Sequence, residues 1–227
     1  MKEKNNNKEM DVVFLLDRSG SMGSVTNDTI GGYNNYIDSL KENNVKVTTV
    51  LFDDHYEMLT NREDIKNIKK LTDKTYFVRG MTALLDAIGK TIEFMDKQKP
   101  KKVMFIITTD GYENASKKYT KEQIKELIQG HKDWEFMYIG ADIDSYGEGS
   151  SIGIKRSNIA NYEKNEEGVN NMFKSLNKAS VMFYMDEEIS EDWKEELKEN
   201  DKEEVINTKK QNKLVDKLNK YIKKSIK

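Results

Sequence analysis

Short apolar runs alternate with longer amphipathic segments along most of the chain. The runs are rich in β-branched and aromatic residues, and their length is typical of strands. They lie at 12–16, 45–52, 102–109 and 134–141, with shorter candidates at 75–80 and within 180–185. Three intervening segments place apolar residues at helical spacing. These predicted helices cover 26–42, 82–97 and 120–130.

Strands that alternate with helices indicate βαβ units, in which the strands run parallel and the helices cover the sheet. Three of the apolar runs contain no acidic residue, as expected for strands buried on both faces. The sequence therefore predicts an α/β fold: a doubly wound, mostly parallel central sheet with helices on both faces. We assign this domain to residues 10–185 and expect 1–9 to be a disordered N-terminal segment.

The charge pattern changes after Met185. Residues 186–204 carry eleven acids and three lysines, whereas 208–227 carry eight lysines and one acid. Four apolar residues of the second segment fall on one helical face, which predicts a basic amphipathic helix. They are Leu214, Leu218, Tyr221 and Ile222. We therefore assign 186–227 to a charged, helical C-terminal extension.

Three roles for this extension remain open, and packing against the domain is favoured. Alternatively, one of its acids, such as Glu187, Glu188, Glu191 or Asp192, competes for a cation bound by the domain. Contact of the basic helix with an anionic membrane or with nucleic acid is the least favoured alternative.

Composition narrows the chemistry of the domain. The 38 basic and 40 acidic side chains give a net charge of −2, so we expect no nucleic-acid binding by the main domain. The absence of cysteine excludes disulfides, zinc–thiolate sites and thiol catalysis. With two histidines in all, any metal must be held by oxygen.

The sequence has neither a signal-peptide pattern nor an apolar run long enough to span a membrane, and we expect a cytoplasmic protein.

Oxygen-bearing side chains follow two of the predicted strands. Asp17, Ser19 and Ser21 come directly after the first strand, Asp110 follows the 102–109 strand, and Thr82 opens a helix. In doubly wound sheets, ligands bind beyond the carboxyl ends of the strands. Two carboxylates and three hydroxyls are hard donors that suit Mg²⁺ or Mn²⁺. The alternative is that the Asp and Ser residues simply cap the 26–42 helix.

These residues resemble the metal-ion-dependent adhesion site of von Willebrand factor A domains. The resemblance rests on "DRSGS" at 17–21, "RGMTALLDAI" at 79–88 and "TTDGYEN" at 108–114. It implies a Rossmann-like fold over about 10–185. It also implies that Ser19 and Ser21 bind the metal directly, that Thr82 binds it directly or through water according to conformation, and that Asp17 and Asp110 bind it mostly through water. The segment 138–154 is similar to intracellular bacterial and phage members of the family.

The resemblance implies a binding function. A cation held largely by neutral hydroxyls stays electron-poor and attracts an anionic ligand, which in this family a partner's Asp or Glu supplies. We therefore expect a non-enzymatic module that binds an unidentified protein through Mg²⁺ or Mn²⁺. The alternative is a phosphoester hydrolase that uses the same metal. No general base or second metal set accompanies the motif, which disfavours the enzyme.

Overall fold

The computed structural model describes residues 8–197. Within this range, six strands and five α-helices follow one another along the chain. The strands are β1 (Met10–Asp17), β2 (Val45–Phe52), β3 (Tyr56–Asp64), β4 (Val103–Thr109), β5 (Trp134–Gly140) and β6 (Ile159–Asn161). The helices are α1 (Thr26–Ser39), α2 (Leu84–Gln98), α3 (Lys121–Gly130), α4 (Ser145–Ser151) and α5 (Glu166–Tyr184). None of these helices has the length and apolarity that a membrane span requires.

The strands form one sheet in the order β3-β2-β1-β4-β5-β6. Only the edge strand β3 is antiparallel to its neighbour. Because the chain moves outward in one direction from β1 and then returns to β4, strand order reverses between these two neighbours. This is the position at which doubly wound sheets bind ligands, and the predicted fold class is confirmed.

Each central strand contributes side chains to two separate cores. In β1, Val12 and Phe14 face the α1 and α5 side of the sheet, whereas Val13 and Leu15 face the α2 and α3 side. Strands β4 and β5 alternate in the same way. Burial on both faces explains why these strands are almost continuously apolar in sequence.

Two predicted strands are wrong. Residues 75–80 form a loop, because their backbone bonds to the chain after β1: Arg79 N–H donates to the Arg18 carbonyl at 2.9 Å. Residues 180–185 lie at the end of α5, whose buried residues follow a helical period and whose first turn is capped by the Asn165 side chain. In both cases, a short apolar run matched strand length without having a strand neighbour.

The packed core continues past Met185. A 3₁₀ segment, Glu191–Leu197, places Trp193 and Leu197 in the same core as α1 and α5. The Trp193 indole N–H donates to the Ser157 carbonyl at 2.9 Å, which ties this segment to the chain before β6. The predicted basic helix at 208–227 lies outside the described residues.

Adjacent glycines in α1 give a test of the packing between α1 and α5. A Cβ on Gly32 would lie 2.1 Å from the Phe173 ring, whereas a Cβ on Gly31 would meet nothing within 4 Å. We expect Gly32→Ala to lower the free energy of unfolding by about 1–3 kcal/mol through overpacking. Gly31→Ala should raise it by about 0.5–1 kcal/mol because Ala favours helix. Urea unfolding of both variants measures this, and equal effects would contradict the packing described.

Candidate metal centre

The fold brings the predicted site residues to one edge of the sheet. Asp17 ends β1 and Asp110 directly follows the neighbouring strand β4. Ser19 and Ser21 lie in the turn after β1, and Thr82 lies two residues before α2. Ser21 is exposed, whereas the other four residues are buried. The cluster therefore opens to solvent on the side of Ser21.

Hydroxyl contacts join the two strand ends. The Ser21 hydroxyl donates to Asp110 Oδ1 at 2.5 Å, and the Ser19 and Ser21 Oγ atoms are 3.0 Å apart. A Cβ placed on Gly111 would lie 3.2 Å from Thr82 Oγ1 and 3.6 Å from Ser21 Oγ. The Thr82 hydroxyl thus faces the same small space, which a side chain at position 111 would narrow.

The Asp17 carboxylate is held on both oxygens. Oδ1 accepts from the Ser19 backbone N–H at 2.7 Å, and Oδ2 accepts from the Thr109 hydroxyl at 2.6 Å. Burial raises the pKa of Asp17 to about 6, although these hydrogen bonds oppose the rise and the nearby Asp110 charge adds to it. Desolvation therefore makes a negative charge on Asp17 costly unless a cation lies near it.

The serines do not cap a helix. Ser19 precedes the 3₁₀ turn Gly20–Val25, but its side chain makes no capping hydrogen bond, and the residue before α1 is Val25. The capping alternative is therefore not supported by the contacts. The hydroxyls point instead toward one another and toward Asp110.

Asp53, at the end of β2, fixes the loop that carries Thr82. Its carboxylate accepts from Arg18 Nε and Arg79 Nε, both at 2.8 Å, and its carbonyl accepts from the Ala83 N–H at 2.9 Å. Desolvation works to raise the pKa of Asp53, but the bonds from Arg79 and His55 and the charge of Arg18 outweigh it and lower that pKa. Gly80 allows this loop to pass close to Asp54, because its φ is +66° and a Cβ there would lie 2.0 Å from Asp54 Oδ1.

A second set of bonds joins the Thr82 loop to the loop after Asp110. Asn114 Oδ1 accepts from the Thr82 N–H at 2.9 Å, and the Asn114 N–H donates to the Thr82 carbonyl at 3.0 Å. Glu113 accepts from the Leu85 N–H at 2.9 Å, in the first turn of α2. Asn114 and Glu113 thus act as positioning residues that sequence reasoning missed, although both lie in the motif segment after Asp110.

Lys164 is a further residue of the site that the sequence did not indicate. It follows β6, and its ammonium lies 2.8 Å from Asp110 Oδ2 and 3.7 Å from Asp142 Oδ2. Among residues 8–197, no other cationic side chain forms an ion pair with Asp17 or Asp110. The buried cluster of Asp17 and Asp110 thus contains two carboxyl groups, and one lysine contacts one of them.

The donor set fits a hard divalent cation. Asp17, Asp110 and the three hydroxyls offer only oxygen, the negative charge of the cluster exceeds its positive charge, and Ser21 gives access from solvent. Mg²⁺ and Mn²⁺ prefer such donors and keep bound waters readily. The cluster has the composition of a cation site that is open to solvent at Ser21.

Another group of potential ligands, Asp53, Asp54 and His55, lies near the centre. Its buried member, Asp53, is already paired with Arg18 and Arg79, so this carboxylate is neutralised by two guanidinium groups. His131, the residue directly after α3, pairs with Asp96. Neither histidine of the sequence contacts the predicted ligands.

Three exposed apolar residues lie on the two loops that carry Thr82 and Asp110. Met81 is 55% exposed beside Thr82, and Tyr112 is 52% exposed two residues after Asp110. Phe77, on the same loop as Met81, is 43% exposed and stacks with the guanidinium groups of Arg18 and Arg79. Large exposed apolar residues grouped around a site are typical of protein-interaction surfaces.

The fold and the cluster define a class: doubly wound α/β domains with an oxygen-donor site at the strand-order reversal. The model of the von Willebrand factor type A domain family matches residues 11–200. The chain therefore belongs to this family. A search of curated protein sequences finds no match.

Solved structures support the fold. The manganese-loaded TRAP protein of Plasmodium vivax matches with a TM-score of 0.55 and 21% identity, covering 70% of each chain. The pilus adhesin SpaC from Lactobacillus rhamnosus GG has a TM-score of 0.64 and 13% identity, covering 80% of this chain and 31% of its own. The mussel byssus protein PTMP1, with zinc in its MIDAS motif, has a TM-score of 0.56 and 15% identity, covering 76% and 46%. The chain thus spans less than half the length of the mussel protein.

The raised pKa of Asp17 predicts that the free energy of unfolding depends on pH. Because the folded protein binds this proton more tightly than the unfolded chain, stability falls as pH rises from about 4 through about 6. With chelator present at pH 7, Asp17→Asn should raise the free energy of unfolding by up to about 3 kcal/mol. The gain should shrink toward pH 4. Urea unfolding across this range measures it, and a gain that does not change with pH would contradict the assignment.

Proposed function

We propose that the chain is a metal-dependent protein-binding module that captures a partner's Asp or Glu carboxylate. The contact that carries this proposal is the Ser21 hydroxyl on Asp110 Oδ1, 2.5 Å away, because it brings oxygens from two strand ends to one point. Ser19, Thr82 and Asp17 complete the proposed ligand set. When bound, Mg²⁺ or Mn²⁺ would supply an electron-poor centre with a coordination position for an anionic oxygen.

The surroundings of the site favour a protein partner. Met81 and Tyr112 offer exposed apolar surface on the two loops that carry Thr82 and Asp110. Hydrogen bonds between Thr82 and Asn114, one to the Asn114 side chain and one between backbones, hold these two loops together. A partner segment with an acidic residue next to apolar side chains fits this arrangement.

A binding role is favoured over hydrolysis by the roles of the titratable groups. Among residues 8–197, His55 pairs with Asp53 and Asp54, and His131 pairs with Asp96, and neither imidazole pairs with Asp17 or Asp110. Asp17 and Asp110 are engaged as proposed metal ligands. We therefore propose a module without catalytic activity that acts in the cytoplasm, the location expected from the sequence.

Thermal unfolding tests the metal site. Mg²⁺ or Mn²⁺ at a hundredfold excess over its Kd should raise the Tm of the wild type by roughly 5–10 °C, because a ligand of the native state stabilises it. Ser19→Ala and Asp110→Ala should abolish the rise. Ser24→Ala removes an exposed hydroxyl from the same turn and should keep it. An equal rise in all four proteins would place the metal elsewhere.

Partner capture with these same proteins tests the proposed use of the metal. Binding partners retained by the wild type and by Ser24→Ala in Mg²⁺ should be released by chelator and should not be retained by Asp110→Ala. Replacement of the partner's contacting acid by its amide should have the same effect as chelator. Capture that persists in chelator would contradict a metal-mediated contact.

A further inference from the structure

Lys164 forms an ion pair with Asp110, the same carboxylate that a cation bound beside Ser19 and Ser21 would use. Asp110 Oδ1 accepts from Ser21, and Oδ2 forms the 2.8 Å ion pair with the Lys164 ammonium. The Asp110 side chain is fully buried, and that of Lys164 is 20% exposed. The carboxylate thus connects the serine hydroxyls to a positive charge supplied by this chain.

A divalent cation and this ammonium cannot both use Asp110 without cost. Like charges a few ångströms apart repel, and in a partly buried site water screens that repulsion weakly. A cation near Ser19 and Ser21 would approach the same carboxylate that Lys164 contacts. Metal binding must therefore either weaken the ion pair between Lys164 and Asp110 or lose affinity through repulsion between the cation and the ammonium.

The surroundings of Lys164 provide a second position for its ammonium. Asp142 Oδ2 is 3.7 Å away, and the Asp142 side chain is 67% exposed. The backbone on both sides of the lysine is fixed, since Tyr162 N–H donates to the Gly140 carbonyl and Asn165 caps α5. A change of partner from Asp110 to Asp142 therefore requires rotation of the side chain alone.

We propose that Lys164 competes with the divalent cation for Asp110 and thereby sets the metal affinity of the site. The lysine neutralises Asp110 when no metal is bound and moves toward Asp142 when metal binds. This inference rests on the proposed function, because it assumes that the cation binds beside Asp110. It adds a regulating residue that lies outside the adhesion-site motif.

Isothermal titration calorimetry with MgCl₂ and MnCl₂ tests the competition. Lys164→Met should bind each metal about tenfold more tightly than the wild type, because it removes both the competitor and the repulsion. Lys164→Arg retains the charge and should stay close to the wild-type affinity. Circular dichroism and a cooperative melt establish that each variant is folded, and Lys164→Gln provides a polar substitute for the Met variant.

A matched control separates this effect from the loss of any lysine. Lys102 is also 20% exposed and pairs with Asp186, beside the amino end of β4 and far from the site. Lys102→Met should leave metal affinity unchanged.

If the wild type binds no metal, the proposed function fails. If it binds metal and Lys164→Met or Lys164→Gln binds equally or more weakly, or if Lys164→Arg behaves like Lys164→Met, the competition is refuted.

Discussion

The pairing of β1 with β4 is the constraint on which the site depends. Their parallel register brings Leu16 opposite Thr108, so Asp17 lies beside Thr109 and Asp110 follows one residue later, where strand order reverses. Continuous apolar packing on both faces of these strands buries both carboxylates. Hydrophobic burial thus holds two carboxyl groups in a poorly solvated position, where negative charge raises the free energy of the folded protein. Hydrogen bonds and Lys164 offset part of this cost, and a bound cation would offset more of it.

The surrounding loops keep this costly arrangement in place. Asp53 joins the loop after β1 to the Thr82 loop through Arg18 and Arg79, and Asn114 joins Thr82 to the loop after Asp110. These bonds are made by protein groups to one another, so the hydroxyls are positioned before any ligand arrives. Preorganisation of this kind lowers the cost of binding. The loops are anchored to a stable sheet and therefore hold the oxygen donors in fixed positions.

Sequence reasoning predicted the elements whose pattern is local and strong. The four main strands and the first three long helices follow from apolar periodicity, and the five site residues follow from their positions at strand and helix ends. The edge strand β3 is half-buried and irregular in register, and β6 has three residues, so neither produces a clear pattern. Lys164 and Asp53 act through contacts between residues far apart in the chain, which one sequence does not display.

The oxygens of Ser19, Ser21 and Asp110 are proposed to form a cation site at the junction of β1 and β4. Anomalous diffraction from crystals grown with Mn²⁺ tests it most directly, because the signal locates the ion independently of any assumption about ligands. We expect a peak about 2 Å from Ser19 Oγ and Ser21 Oγ. A peak at Asp53, Asp54 and His55, or no peak at a saturating Mn²⁺ concentration, would contradict it.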